Sequence, residues 1–294
     1  MGEQRRRVED EGRVLVERLG GRWTPGGGMC RCPAHDDRTP SLSVRPGRTR
    51  LLLHCFAGCD STDVLRALQN QRLLDPRAAP PTGREGRRGE RAHNAAALRI
   101  WTEARSIQGT PAADYLAARG LEACSSELRF HPSAPVGPKP LTRYRPALVA
   151  AVRDDSGLVA VHRSFIDRRA RGRVAGRAGL GRFGRGAVRL GGIAPRLGIA
   201  EGIETALSAT ALFKVPCWAT LGTERFGRVS LPAEVTELLL FLDHDSGGRR
   251  AEALARSAFA HLAHVEAHYP KRAGEDWNDV LRAQCEQDRG CSAT

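Results

Sequence analysis

Two groups of residues in this chain have the types and spacing of metal ligands. Cys32-Pro33-Ala34-His35 is followed some twenty residues later by His54-Cys55-Phe56-Ala57-Gly58-Cys59. Cys32 with His35, and Cys55 with Cys59, make two close pairs of the soft or borderline ligands that a tetrahedral zinc ion takes. Four protein ligands leave no open coordination position, so such a zinc is structural rather than catalytic. Cys30 is a rival to Cys32, with a less usual spacing to His35. His54 and Asp36 are candidates to orient the ligands from behind. The ordinary alternative, free thiols beside a surface histidine, fits this spacing poorly.

The second group is acidic. Ile199-Ala200-Glu201-Gly202 closes one apolar run, and Phe241-Leu242-Asp243-His244-Asp245 closes another. Alternate residues of an extended chain point the same way, so Asp243 and Asp245 are expected to face one pocket and His244 to face away. Hard carboxylate oxygens suit Mg²⁺ or Mn²⁺, which also contact substrate phosphates. Paired metals can neutralise a triphosphate and activate a 3′-hydroxyl for in-line attack. A lone D-x-D is often just a solvated acid pair; an E-G one strand–helix unit earlier makes the signal stronger. Zinc-type and acidic sites on one basic chain point to nucleic-acid chemistry.

The elements that must carry these residues are legible in outline. Residues 5–19 place Val8, Leu15 and Leu19 near one helical face, and Gly20-Gly21 ends the helix. Ser41–Val44 and Leu51–His54 read as a hairpin between the two halves of the cysteine cluster. Ser61-Thr62-Asp63 caps a short helix. Residues 76–92, rich in Pro, Gly and Arg, read as a flexible basic linker. Residues 94–106 and 111–119 look helical, with Thr110-Pro111 as N-cap and first turn. Two strands, Ala147–Val152 and Leu158–Ile166, flank the turn Asp155-Ser156-Gly157. Residues 168–185 hold seven arginines, five glycines and no acid. They read either as a solvated loop or as a basic loop whose backbone approaches phosphate. Beyond residue 195, strand and helix alternate: strands at 196–200, 215–220, 237–243 and 264–268, helices at 202–213 and 249–262. Such alternation implies a mainly parallel, covered sheet with ligands at the strands' carboxyl ends, where Glu201, Asp243 and Asp245 fall.

Composition sets the partners. The 294 residues suffice for two domains, and the net charge is +13. All but Lys139, Lys214 and Lys271 of the 46 basic residues are arginine, which makes forked contacts to phosphate. No run is apolar enough to span a bilayer, and the first twelve residues lack a secretory signal's apolar stretch. An intracellular protein is therefore expected. In a reducing compartment the eight cysteines argue for metal binding by some of them; Cys124 and Cys217 read as small buried residues. No Walker A sequence is present, so the chain shows no helicase motor of its own; with the resemblance that follows, this implies a separate replicative helicase as partner.

Residues 28–68, with CPAHDDRTPSLSV, HCFAGC and STDVLRAL, resemble the zinc ribbon of bacterial DnaG-type primases. The resemblance gives the zinc to Cys32, His35, Cys55 and Cys59, and gives the ribbon a role in engaging single-stranded template. The second pair has one intervening residue more than the usual C-x2-C, as in phage and mobile-element relatives. LGIAEGIETALSA, ATLGT and LLLFLDHDSGGRRAEALA resemble a Toprim domain, which makes Glu201 an acid for metal or proton transfer and Asp243 and Asp245 metal ligands. GEDWNDVL (274–281) resembles the close of Toprim regions in mobile-element primases. It adds Asp276 and Asp279 as candidates, with an N-cap role for Asp276 as the alternative. WTEARSIQGTPAADYLAARGL and VAVHRSFID resemble the region before Toprim in those primases, and place Arg163 and Arg182 near template or nucleotide.

The expected architecture is α/β (α+β overall). It comprises a zinc-ribbon DNA-binding domain at 1–75, a basic linker at 76–92, the N-terminal subdomain of a primase core at 93–195, and a Toprim catalytic domain at 196–294. The expected function is a DNA primase of plasmid, phage or integrated-element type. It would join nucleoside triphosphates on single-stranded DNA, with structural Zn²⁺ and catalytic Mg²⁺ or Mn²⁺. The alternatives are a Toprim nuclease or strand-passage factor, and a single-strand DNA-binding accessory protein with a degenerate site. The first lacks a persuasive tyrosine nucleophile among Tyr115, Tyr144 and Tyr269. The second is opposed by the intact Glu201, Asp243 and Asp245.

Overall fold

A computed structural model describes residues 2–35, 37, 40–47, 49–56, 59, 61–74, 84–122, 125–137, 142–167 and 172–291. It contains three four-stranded sheets, one for each functional segment of the chain.

The first sheet is antiparallel, in the order β1-β2-β3-β4: Arg22–Thr24, Gly27–Cys30, Leu42–Pro46 and Leu51–Cys55. Helix α1 (Gly2–Arg18) lies on it and buries Val8 and Leu15 of the expected stripe together with Val16, while Leu19, just past its end, packs partly buried on the same core. Helix α2 (Ser61–Asn70) adds Val64 and Leu68 to the same small core. The expected hairpin is β3–β4, with Leu42 opposite Cys55. β1 has three residues and β2 is half glycine, so neither offers an apolar alternation to read.

The second sheet is an antiparallel meander of β5 (Leu128–Val136), β6 (Arg143–Asp154), β7 (Gly157–Ile166) and β8 (Val174–Gly181). β6 and β7 turn at Asp155-Ser156, and Gly157 takes a φ of +113°, which disfavours a side chain. β8 corrects the reading of 168–185 as a loop: 174–181 pair with β7, while 168–171 lie outside the described residues. β5 carries Pro132 and Pro135, which an edge strand tolerates, and its register shifts between His131 and Ala134. Helix α3 (Arg84–Glu103) covers one face through Ala97, Ile100 and Trp101 against Val149, Val161 and Phe165. Part of the expected linker is therefore helix, from Arg84 onward; residues 75–83 lie outside the described set. The short α4 (Pro111–Ala117) follows. Thr110 is its N-cap by backbone only, since its hydroxyl donates to the Ile107 carbonyl at 2.5 Å.

The third sheet is fully parallel, in the order β10-β9-β11-β12: Cys217–Ala219, Arg196–Ala200, Glu237–Phe241 and His264–His268. Helix α5 (Ile203–Phe213) links β9 to β10, and α6 (Ser246–Ala258) links β11 to β12. Alternate residues of β11 point into two cores. Leu239 and Phe241 meet α5 and the C-terminal helix α7 (Trp277–Cys291); Leu238 and Leu240 meet α6. The expected parallel, covered sheet is thus present. Val188 pairs with Ala219 at the sheet's edge, which joins the second and third sheets through one core. No described helix is long and apolar enough to cross a membrane.

Candidate metal centres

The two ligand pairs converge. The ligand atoms of Cys32, His35, Cys55 and Cys59 all lie within 4.8 Å of one another, and among the described residues they are the one group so close. The β3–β4 hairpin brings them together: Cys55 ends β4, while Cys32 and His35 lie on the turn after β2. His35 Nδ1 is 3.2 Å from Cys59 Sγ and 3.9 Å from Cys55 Sγ. Hydrogen bonds from Cys32 and Cys59 hold the Cys55 thiol far below its usual range, and Cys55 in turn helps hold Cys32 and Cys59 protonated. Three thiols and an imidazole nitrogen crowded within one ligand sphere are the soft and borderline donors that a tetrahedral zinc takes, so the donor set fits zinc. Cys30 stays apart, with Sγ 3.7 Å from the Leu42 carbonyl, and burial pushes its thiol up to about 12.

Asp37 orients this cluster. Its Oδ2 accepts from Cys32 N at 2.6 Å, Ser41 N at 3.1 Å and Ser41 Oγ at 2.6 Å; its Oδ1 lies 3.6 Å from His35 Nε2. The sequence reading named Asp36, which lies outside the described residues, and His54, whose ring lies edge-on to Phe56 at 4.8 Å. The adjacent aspartate was overlooked because nothing in the spacing separates the two.

The acids gather at the carboxyl end of the parallel sheet. The chain leaves β9 toward β10 on one side and later enters β11 on the other, so the crevice beyond β9 and β11 is a topological switch point. Glu201 directly follows β9, and Asp243 lies two residues past β11. Burial first, then Glu201, Asp276 and Asp245, pushes the Asp243 carboxyl up to about 6. Its Oδ1 is buried without a hydrogen-bond partner. Burial also raises the Glu201 carboxyl; Thr223 opposes this and Asp245 adds to it. An unpartnered carboxylate oxygen on Asp243, beside the repelling charges of Glu201 and Asp245, fits a hard divalent cation such as Mg²⁺, which keeps waters of its own.

Neighbouring backbone fixes these side chains. Thr223 Oγ1 donates to Glu201 Oε2 at 3.0 Å, and Leu221 N donates to the Glu201 carbonyl at 2.8 Å. This turn is the ATLGT segment, and Leu221 has a φ of +66°, strained for a leucine. Gly248 packs so closely on the Asp243 carbonyl that a Cβ would overlap it.

Asp245 departs from the expected extended D-x-D. The segment turns after β11, with Asp245 N donating to the Asp243 carbonyl, and Asp245 is the N-cap of α6, accepting from Gly248 N at 2.9 Å. One of its oxygens is thereby engaged. His244 faces away as expected, with Nδ1 2.9 Å from the Pro270 carbonyl. Asp276 accepts from Asp279 N at 2.8 Å as the cap of α7, yet its charge also reaches Asp243.

The two arginines part company. Arg163 is 3% exposed; it donates to the carbonyls of Pro135 and Gly179 and lies over Phe165. Burial lowers its pKa to about 10. It is a strut across β5, β7 and β8, which corrects its placement at template or nucleotide. Arg182 is exposed, on the loop after β8.

A buried polar cluster escaped the sequence reading. Glu204 accepts from Tyr115 Oη and, at 2.9 Å, from Arg177 Nη2. Burial would raise its carboxyl, but Arg177 and Tyr115 outweigh burial and leave it at about 2. The cluster ties α4, β8 and the first turn of α5 together behind Glu201. In sequence, Glu204 looks like any helix-surface acid.

Residues 196–287 match the Toprim domain family, and residues 91–190 match a domain of unknown function, DUF7146. No curated protein matches the sequence. Several solved structures are similar, among them three primase fragments. The zinc-binding and RNA polymerase domains of the Aquifex aeolicus primase are 18% identical, with 98% of this chain and 83% of that one covered and a TM-score of 0.45. The primase fragment of the bacteriophage T7 primase-helicase is 12% identical, with 92% and 94% covered and a TM-score of 0.44. The RNA polymerase domain of the Mycobacterium tuberculosis primase DnaG is 16% identical, with 66% and 79% covered and a TM-score of 0.44. Superpositions this loose carry no residue-by-residue correspondence.

Proposed function

We propose that this chain, whose residues 196–287 are a Toprim domain, is a DNA primase that joins nucleoside triphosphates on a single-stranded DNA template. The observation that carries this reading is the half-buried Asp243 carboxylate, its Oδ1 unpartnered, near Glu201 and Asp245 at the switch point of a parallel sheet. The Cys-His-Cys-Cys cluster supports it, because it supplies a second nucleic-acid-type module on a chain of net charge +13.

In this reading Asp243 and the free oxygen of Asp245 hold Mg²⁺ or Mn²⁺. When bound, the metal neutralises triphosphate charge and lowers the pKa of the attacking hydroxyl. Glu201, held by Thr223 and raised by burial, is placed to accept the proton of that 3′-hydroxyl. The hydroxyl oxygen bonds to the α-phosphorus as the bond to pyrophosphate breaks. Cys32, His35, Cys55 and Cys59 hold a zinc that keeps the ribbon folded. The replicon we propose is a plasmid, phage or integrated element, and a separate helicase would expose the template.

The test is incorporation of labelled nucleotides on single-stranded DNA with Mg²⁺ or Mn²⁺, wild type beside Asp243→Asn. Short products from wild type alone are expected. Metal-dependent shortening of the template in place of products would reassign the chain as a nuclease, and binding with neither reaction would make it an accessory protein.

A further inference from the structure

In GEDWNDVL the acids carry the evident chemistry, yet the residues between Asp276 and Asp279 are the buried ones. Trp277 is 6% exposed and Asn278 2%.

Trp277 reaches the acidic centre through the backbone. Its indole Nε1 donates to the Leu242 carbonyl at 3.2 Å, and Leu242 immediately precedes Asp243. The Leu242 N–H donates to the His268 carbonyl at 3.0 Å. The peptide after Asp243 is pinned as well: its carbonyl accepts from Asp245 N at 2.8 Å and lies against Gly248. Asp243 therefore sits between two anchored peptides, one held by β12 and α7, the other by the start of α6. An indole N–H can only donate, and a buried carbonyl left without a donor is costly, so this bond fixes how the chain leaves β11.

Asn278 secures the same helical turn from the other side. Its amide donates to the Arg119 carbonyl at 2.9 Å and to Ser208 Oγ at 3.2 Å, and its oxygen accepts from Arg119 Nη1 at 3.4 Å. Ser208 Oγ donates onward to the carbonyl of Glu204, three residues after Glu201. A reciprocal cap starts α7: Asp279 N donates to Asp276 Oδ1 at 2.8 Å, and Asp276 N to Asp279 Oδ2 at 3.5 Å. So held, Asp276 is close enough for its charge to be felt at Asp243.

We propose that Trp277 is a positioning residue of the acidic metal centre: its indole N–H holds the Leu242–Asp243 peptide, and with Asn278 it docks α7 so that Asp276 stands beside Asp243. This rests on the reading that these carboxylates take a divalent cation. The competing account is that Trp277 only fills space. Phe213 separates the two, because its ring meets Trp277 at 5.2 Å and Phe241 at 4.7 Å in the same aromatic cluster, and a phenyl ring has no donor to offer Leu242.

Calorimetric titration of the full chain with Mn²⁺ reads the site directly, with Asp243→Asn as baseline. Binding that wild type shows and Asp243→Asn lacks belongs to the acids. Trp277→Phe keeps an aromatic ring and removes the donor, and its Mn²⁺ affinity should fall about tenfold. Phe213→Leu loosens the same cluster and should keep the wild-type affinity, even where both variants lower the metal-free melting temperature alike. Should Trp277→Phe fail to fold, replacement of Trp277 by benzothienylalanine removes the N–H at nearly constant shape. Unchanged affinity in a folded Trp277 variant would overturn the proposal, and so would an equal loss in Phe213→Leu. Absence of Mn²⁺ binding by wild type would sink the metal reading of the acids and this proposal with it. The titration needs no synthesis, so failure of the primase reading in the incorporation assay is distinguishable from failure here.

Discussion

Asp243 is a carboxylate placed where ionisation is unfavourable, and the sign of its contribution to stability follows. Its ordinary value is 3.8 and its folded value about 6, raised first by burial and then by Glu201, Asp276 and Asp245. Between those values the folded chain holds a proton that the unfolded chain has lost, so without metal this group makes stability fall as pH rises from about 4 to 6 and level off above. A divalent cation binds the ionised form, so the rise in melting temperature on adding Mg²⁺ should grow across the same window. Asp243→Asn should remove both effects: a metal-free melting temperature at pH 8 higher by about 2–4 °C, no Mg²⁺ increment, and no synthesis. Differential scanning calorimetry at pH 5 and pH 8 checks this, and a persisting Mg²⁺ increment in the variant would move the metal elsewhere. The sequence revealed Glu201 and Asp243 because each ends an apolar strand run. It did not reveal that Asp245 turns to cap a helix, since capping and coordination both favour an aspartate followed by Ser246 and two glycines. Arg163 misled for a related reason: a basic residue in a strand reads as surface until its neighbours are known, and here three strands of one sheet close around it.

Elements with apolar periodicity were legible, and those built from glycine or proline were not. The helix stripe of α1, the β3–β4 hairpin, the Asp155-Ser156 turn and the whole βαβ alternation of the Toprim sheet follow from residue patterns alone. β8 did not, because six of its eight residues are glycine, alanine or arginine, and its partner β7 supplies most of the apolar side chains. The start of α3 was read ten residues late, since its glycines masked the helix-favouring Arg, Glu and Ala around them. The zinc cluster belongs to this scale, because its ligands come from two turns and its small core is separate from the others. Cys55→Ser removes a ligand at the end of β4 and leaves the Toprim cores untouched. Metal analysis should show zinc falling from about one per chain toward none. Hydrogen exchange should show protection lost over β2–β4 and kept over β9 and β11. Unchanged zinc content would strike Cys55 from the ligand set.

At the scale of the whole molecule, the ribbon meets the core, among the described residues, at Phe56 and Asp63. The Phe56 carbonyl accepts from Gly179 N, Phe56 packs against the second sheet's core, and Asp63 pairs with Arg228. The His35 charge is felt at Glu201, which sets the docked ribbon's ligand cluster on the side of the acids. A partly exposed ion pair contributes at most about 1 kcal/mol and is weakened by salt, so docking on this footing is reversible. A strand phosphate at Arg228 would compete with Asp63 directly, which couples template binding to release of the ribbon from the crevice. Asp63→Lys sets like charges together and should undock the ribbon without touching either metal centre. Small-angle scattering should then give a larger radius of gyration than wild type at low salt. A compact chain of this length has a radius of gyration of about 19 Å. Wild type should approach the variant's value as salt is raised or oligodeoxythymidylate is added. Equal radii for variant and wild type under all these conditions would mean that the apolar contact at Phe56 alone holds the ribbon down, and that strand binding leaves it in place.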